Sequence, residues 1–361
     1  MTDSRVPPSV ASSAELPPRL TPTADAPDGA VRMVTVKSPS AVFGPAIRAS
    51  WRGHLRIARV DHWVKNVFVL PGILAAVALS PGEVSANLAW RILLGLLAVG
   101  LVASSNYTIN EILDAPFDRN HPDKRLRPVP SGMVHVPLGY AQWVGLGILG
   151  LALSWGIGEP FFLSMLALWI MGIVYNVRPM RSKDVPYLDV LSEAVNNPLR
   201  MLAGWFLVSE TRLPPATLLL SYWMVGCYFM AIKRYAEARQ LTQHGALAAY
   251  RRSLAWFTPE RLLVAITFYG SAAMLFFGAF IMRYRLEEIL SFPLVALIMA
   301  QYLALAFRAD GAAQNPEKLY REGSLMAAVI ACAALMGVLL FLDLPGLHHI
   351  LSPEFIGELG R

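Results

Sequence analysis

Apolar runs, each close to the length of a bilayer crossing, recur from residue 64 to residue 342 and decide what this chain can fold into. A helix needs about 20 apolar residues to cross a bilayer. Lipid offers no partner for backbone N–H and C=O groups, so each crossing segment must satisfy its own. The pattern predicts an all-α, polytopic membrane bundle of about nine transmembrane helices, placed near 64–80, 88–109, 136–155, 160–177, 188–208, 215–232, 262–282, 291–308 and 325–342. Composition agrees: 55% of the 361 residues are hydrophobic, only 16% are charged, and the mean hydropathy of +0.46 is too high for an ordinary soluble domain.

The positive charges follow topology. Lys and Arg gather in the loops after the even-numbered spans, among them Arg119, Lys124, Arg125, Arg127, Arg178, Arg181, Lys183, Lys233 and Arg234, whereas the opposite loops hold only Arg212, Arg283 and Arg285. This asymmetry places the N-terminus in the cytoplasm and, with an odd number of spans, the C-terminus outside a bacterial-type inner membrane. A net charge of +6 distributed in this way is no nucleic-acid-binding face. Residues 1–45 are rich in Pro, Ser and Thr and lack the apolar stretch of a secretory signal, so a disordered cytoplasmic tail is expected. Residues 46–63 set Arg48, Arg52, Arg56 and Arg59 among Ile47, Trp51, Leu55 and Trp63. They read as a basic amphipathic helix on an anionic membrane surface or as a topogenic charge cluster, and the two are compatible. The membrane domain then occupies 64–345, and 346–361 form a short non-cytoplasmic tail. Cys227 and Cys332 both fall in apolar segments and read as small core residues.

The first chemical signal follows the second span. Asn110, Asp114 and Asp118 stand four residues apart, so a helix carries them on one side, with Glu111 alongside. Carboxylates at the end of a membrane helix are costly, and a solvated loop would need no such spacing. Arg119, Lys124, Arg125 and Arg127 follow at once. An acidic ladder beside a basic cluster is what a metal ion and a phosphate require.

The second signal runs from Tyr175 to Arg200. Asp189, Glu193, Asn196 and Arg200 form one polar stripe on an otherwise apolar helix, flanked by Asn197. Such a stripe faces a cavity or a partner helix. Upstream, Tyr175, Arg178, Arg181 and Lys183 supply donors and charge; structural ion pairing between helices is the alternative to a functional site. Asp184 reads as a helix cap before Pro186. Lys233 and Glu237 stand as an i, i+4 pair with Arg234 beside them, a phosphate contact or a local ion pair. His121, His135, His348 and His349 show no ligand spacing. Zinc spacings, a Walker loop and a Gly-rich dinucleotide turn are absent from the sequence.

Two acidic sets beside basic clusters suit one reaction class. Carboxylates hold Mg2+, which keeps water or phosphate oxygens for the rest of its shell. Arg and Lys balance the remaining phosphate charge. A diphosphate then departs, leaving an allylic cation or, for a sugar, an oxocarbenium ion that an acceptor attacks. A site at the membrane boundary serves a reaction between a lipid and a soluble or interfacial second substrate.

N-x-x-x-D-x-x-x-D at Asn110–Asp118, the D-R-x-H-P-x-K-R-x-R-P-x-x-S-G stretch ending at Gly132, a later Y-x-x-x-P-x-R-x-K and D-x-x-x-E together resemble the UbiA superfamily of intramembrane prenyltransferases. H-W-V-K-N at His62–Asn66, K-R-Y-A-E at Lys233–Glu237 and P-E-K-L at Pro316–Leu319 are similar to the branch that contains decaprenyl-phosphate phosphoribosyltransferase. The resemblance covers about residues 55–340. It implies a helical bundle around a central cavity open to the cytoplasmic side, Mg2+, and a polyprenyl phosphate or diphosphate. It also implies roles. Asn110, Asp114 and Asp118 would bind a metal–diphosphate unit, with Glu111 as helper and Lys124, Arg125 and Arg127 over the leaving group. Asp189 and Glu193 would bind a second metal or orient the acceptor. Tyr175, Arg178, Arg181, Lys183, Asn197, Arg200, Lys233 and Arg234 would hold phosphate or steady the cation. The sequence departs from the pattern at Glu111 and Glu193, where Asp is usual; Glu remains an oxygen ligand.

Three rivals are prenyl transfer to an aromatic or other small acceptor, a transporter using the acids as a cation or proton relay, and a catalytically dead scaffold, which the near-complete set of polar residues weakens. Against the transporter, the acids cluster at one membrane face and no inverted repeat is visible.

Overall fold

The computed structural model describes residues 49–119, 124–243, 256–308, 319 and 321–351, and among these every regular element is helical. The 1–45 tail, Pro316–Lys318 of the P-E-K-L stretch and residues 352–361 lie outside the described residues. A short helix α1 (Trp51–Ile57) leads through a left-handed Arg59 (φ 49°) into a 3-10 segment (Val60–Val69) and α2 (Leu70–Leu79). There follow α3 (Leu88–Asp118), α4 (Val136–Trp155), α5 (Glu159–Asn176), α6 (Leu188–Ala194), α7 (Asn196–Val208), α8 (Ala216–Gln243) and α9 (Pro259–Tyr284). A second 3-10 segment (Leu286–Ser291), α10 (Phe292–Ala306), α11 (Gly323–Leu339) and α12 (Pro345–Leu351) complete the described chain.

Seven described segments are long and apolar enough to cross a membrane. The two other expected spans differ for local reasons. The span expected at 325–342 is helix α11, 17 residues long. The span expected at 188–208 is divided into α6 and α7, because Pro198 has no N–H to return to the Ala194 carbonyl and its ring crowds that turn. The second span is longer than expected. Helix α3 continues past residue 109 to Asp118, although Pro116 lies within its last turn, so the acidic ladder rides on the membrane helix itself. Of the basic helix expected over 46–63, residues 46–48 lie outside the described residues, and the α-helical part of the rest is α1. There Trp51, Arg52, Leu55 and Arg56 are exposed while Gly53 and Ile57 are buried.

Two apolar cores hold the bundle. One joins Val69, Ile73, Ala98, Val102, Phe161, Met165, Ala203 and Trp205 from the end of the first 3-10 segment, α2, α3, α5 and α7. The other joins Val190, Ala194, Cys227, Ile232, Leu262 and Ile266 from α6, α8 and α9. The break at Pro198 therefore divides one membrane passage between the two cores, and the second acidic motif sits at that break. Small residues let the backbones meet. A Cβ on Gly72 would strike the Met201 carbonyl, and one on Gly204 would strike that of Val69, so α2 and α7 approach closely only because both positions lack one. Large apolar side chains such as Trp90, Leu93, Ile148, Val264, Phe268 and Ile330 are exposed on the outer faces of the spans, as lipid contact requires.

Candidate active site

Each turn of α3 between Asn110 and Asp118 brings one ladder residue to the same side of the helix. Asp118 is 2% exposed and accepts a hydrogen bond from Arg127 Nη1 at 2.7 Å. Glu111, equally buried, accepts the Val129 backbone N–H at 3.0 Å. These contacts fold the Arg127–Gly132 loop back onto the end of α3. Glu111 thus serves the loop, and Arg127 serves Asp118. Asp114 is the more open acid, with its side chain 19% exposed.

Asp114 is met from another helix connection. The turn after α5 carries Arg181 and Lys183, both buried. Arg181 Nη2 lies 3.1 Å from Asp114 Oδ1, and Lys183 Nζ lies 2.6 Å from the same oxygen. The ammonium also donates to Asn176 Oδ1 at 2.8 Å. Asp184 accepts from Arg181 Nε at 2.9 Å, so it orients that guanidinium instead of capping a helix.

The second motif is closed by a different cation. Arg234 on α8 is 2% exposed and spends its guanidinium on three carboxylates: Asp189 at 2.9 Å, Glu193 at 2.8 Å and Glu237 at 2.9 Å. A buried guanidinium is tolerated only with such partners. The structure pairs Glu237 with Arg234, whereas the sequence spacing points to Lys233.

One side chain joins the two halves. Tyr175, at the end of α5, donates its hydroxyl to Glu193 Oε2 at 2.9 Å, and its ring lies 5.7 Å from Lys183 Nζ. A continuous polar path therefore runs from Asp114 through Lys183, Tyr175 and Glu193 to Arg234 and Asp189. Asn176, which holds Lys183, is the member that sequence reasoning missed; it adjoins Tyr175 on an apolar helix and lies outside both acidic spacings.

The other expected members have the following places. Arg178 is exposed on its loop. Lys124 and Arg125 lie on a 3-10 turn (Lys124–Leu126) after α3. Lys233 is half-buried, next to Arg234. Asn197 lies against Gly226 of α8. Arg200 is 8% exposed on α7.

The donor set of Asn110, Asp114 and Asp118 is oxygen only, as Mg2+ prefers. Among the described residues no three His, Cys, Asp or Glu side chains converge to hold a metal ion.

Helical bundle, bilayer-facing exterior and a buried acid–base path at the ends of the spans define an integral-membrane enzyme. The family model described as "UbiA prenyltransferase family" matches residues 68–329, and the chain belongs to that family. It is a UbiA-family transferase. Among its relatives is the decaprenyl-phosphate phosphoribosyltransferase of Mycobacterium tuberculosis, 31% identical over 227 residues, which cover 63% of this chain and 72% of that protein. The nodulation protein NoeC of Azorhizobium caulinodans is 28% identical over 237 residues, covering 65% of this chain and 74% of that one. A solved UbiA homologue from Archaeoglobus fulgidus, bound to DMAPP and Mg2+, has the same fold with a TM-score of 0.62 at 23% identity, covering 81% of this chain and all of that one.

Proposed function

We propose that this chain transfers a phosphoribosyl group from phosphoribosyl diphosphate to the phosphate of a polyprenyl phosphate, with Mg2+ and with diphosphate as the leaving group. The observation that carries this reading is the joined acidic site, Asp114 through Lys183 and Tyr175 to Glu193. The name borne by the relatives at 31% identity supplies the substrate class.

Asn110, Asp114 and Asp118 would hold Mg2+ against the donor diphosphate. The ion supplies charge for the departing oxygens. Lys183 and Arg181, already at Asp114, add donors there, and Lys124, Arg125 and Arg127 bring further positive charge to that end of α3. The bond from the sugar anomeric carbon to the diphosphate oxygen breaks, and its electron pair leaves with diphosphate. An oxygen of the acceptor phosphate then bonds to the anomeric carbon. Asp189 and Glu193, held rigid by Arg234, place negative charge beside the developing oxocarbenium ion, and the Tyr175 hydroxyl fixes Glu193. The site lies at the cytoplasmic face of an inner membrane, where a soluble donor can meet a lipid acceptor.

Purified protein in detergent with Mg2+ should move label from ribose-labelled phosphoribosyl diphosphate into the organic phase when decaprenyl phosphate is present. Label passing instead from a prenyl diphosphate into a small aromatic product would replace this reading with prenyl transfer. Label in neither product would remove both.

A further inference from the structure

Every buried cation in the joined site has a carboxylate beside it, and Arg200 does not. Its residue is only 8% exposed, on a helix inside the bundle. Among the described residues no carboxylate lies within ion-pairing distance of it. Its guanidinium makes one long hydrogen bond, Nη1 to the Asn196 backbone oxygen at 3.4 Å, and its Nε has no partner. One turn away the buried Asn196 Oδ1 also has no partner. A buried charge without a counter-charge costs several kcal/mol in a medium as dry as a membrane bundle. The obvious cations of the site, Lys183, Arg181 and Arg234, are by contrast neutralised within the chain.

We infer that Arg200 is the anion-binding residue for the lipid acceptor, taking its phosphate monoester at a place distinct from the diphosphate half around Asp114. This inference rests on the proposed reaction for the identity of the acceptor; the need for an anion at Arg200 does not. A guanidinium offers a fork that matches two phosphate oxygens, and a monoester carries up to two negative charges for it. The surroundings suit an amphiphile. Tyr222 of α8 packs edge-on against Phe68, ring centroids 6.3 Å apart. Phe68 belongs to the 3-10 segment that carries H-W-V-K-N. Arg200 is also the last member of the polar stripe begun by Asp189, so the stripe runs from the acids at the cation to a base at the acceptor.

The test uses the full chain in detergent and a soluble probe, farnesyl phosphate, with binding read by isothermal calorimetry. Wild type should bind farnesyl phosphate and discriminate against farnesol. Arg200→Gln should lose about tenfold to a hundredfold in affinity for farnesyl phosphate, the worth of a charge-assisted pair. Its affinity for phosphoribosyl diphosphate with Mg2+ should be unchanged. Arg200→Lys should recover part of the loss, and thermal melting should show both variants folded. Unchanged farnesyl phosphate binding in Arg200→Gln overturns the inference, as does equal loss of both ligands. Equal competition by phosphatidylglycerol or by inorganic phosphate would make this a structural lipid or free-anion site, which also overturns it. Failure of wild type to bind phosphoribosyl diphosphate would strike the proposed reaction while leaving the Arg200 result readable.

Discussion

Lys183 Nζ lies 2.6 Å from Asp114 Oδ1 although the two residues are far apart in sequence, Asp114 on α3 and Lys183 on the turn after α5. The pair brings the turn after α5 onto the acidic face of α3. Lys183 is 1% exposed, so its charge is committed to this place. Lys183→Met should leave the protein folded, because Arg181 still neutralises Asp114, but should lower turnover by about a hundredfold or more, the usual cost of losing a charged donor at a reacting oxyanion. Steady-state rates beside a melting curve in detergent check both halves of the statement. Full activity in Lys183→Met would remove the lysine from the chemistry.

Arg234 has a different place, and its loss should look different. Asp189 is fully buried against it. Arg234→Gln takes the guanidinium away from a buried carboxylate and should cost about 3–5 kcal/mol of stability. Adding Asp189→Asn removes that buried charge, so the double variant should melt above Arg234→Gln alone. Equal melting of the two would mean that Arg234 acts on the other carboxylates only.

Packing of α2 on α7 gives a prediction away from the chemistry. A methyl at Gly72 or Gly204 meets backbone carbonyl oxygen, which cannot rotate aside as a side chain can. Gly72→Ala and Gly204→Ala should each destabilise by about 1–3 kcal/mol or more. Gly278→Ala, where nothing lies within 4 Å, should be neutral by the same thermal assay.

Chelation gives a fourth outcome. With Asn110, Asp114 and Asp118 as partial ligands completed by substrate, EDTA should abolish transfer without changing the melting temperature, and excess Mg2+ should restore it. A large drop in melting temperature on chelation would instead mean a metal built into the fold.

The helical class, the positions of most spans and both acidic motifs are legible in the sequence, because apolar run length and four-residue spacing are local properties. The acids and Pro116 lower the hydropathy after residue 109, so the sequence puts the ladder just beyond the second span, yet the helix continues through it to Asp118. The division of the fifth span was readable in Pro198 but hidden by the polar stripe, which runs across the break. Partnerships were not legible. Whether Arg234 meets phosphate or Asp189, and whether Glu111 faces a metal or the Val129 N–H, depends on which helices neighbour one another. Asn176 escaped because a lone amide on an apolar helix carries no spacing signal. It gains meaning only from Lys183 beside it.

The central claim is that the two acidic motifs are one site, joined through Lys183 and Tyr175. A double-mutant cycle on kcat/KM with Asp114→Asn and Glu193→Gln tests it most directly. Residues that act as a unit are strongly non-additive. Each single variant is therefore expected to lose nearly as much as the double. Losses that simply add, or full activity in Glu193→Gln, would contradict a single joined site.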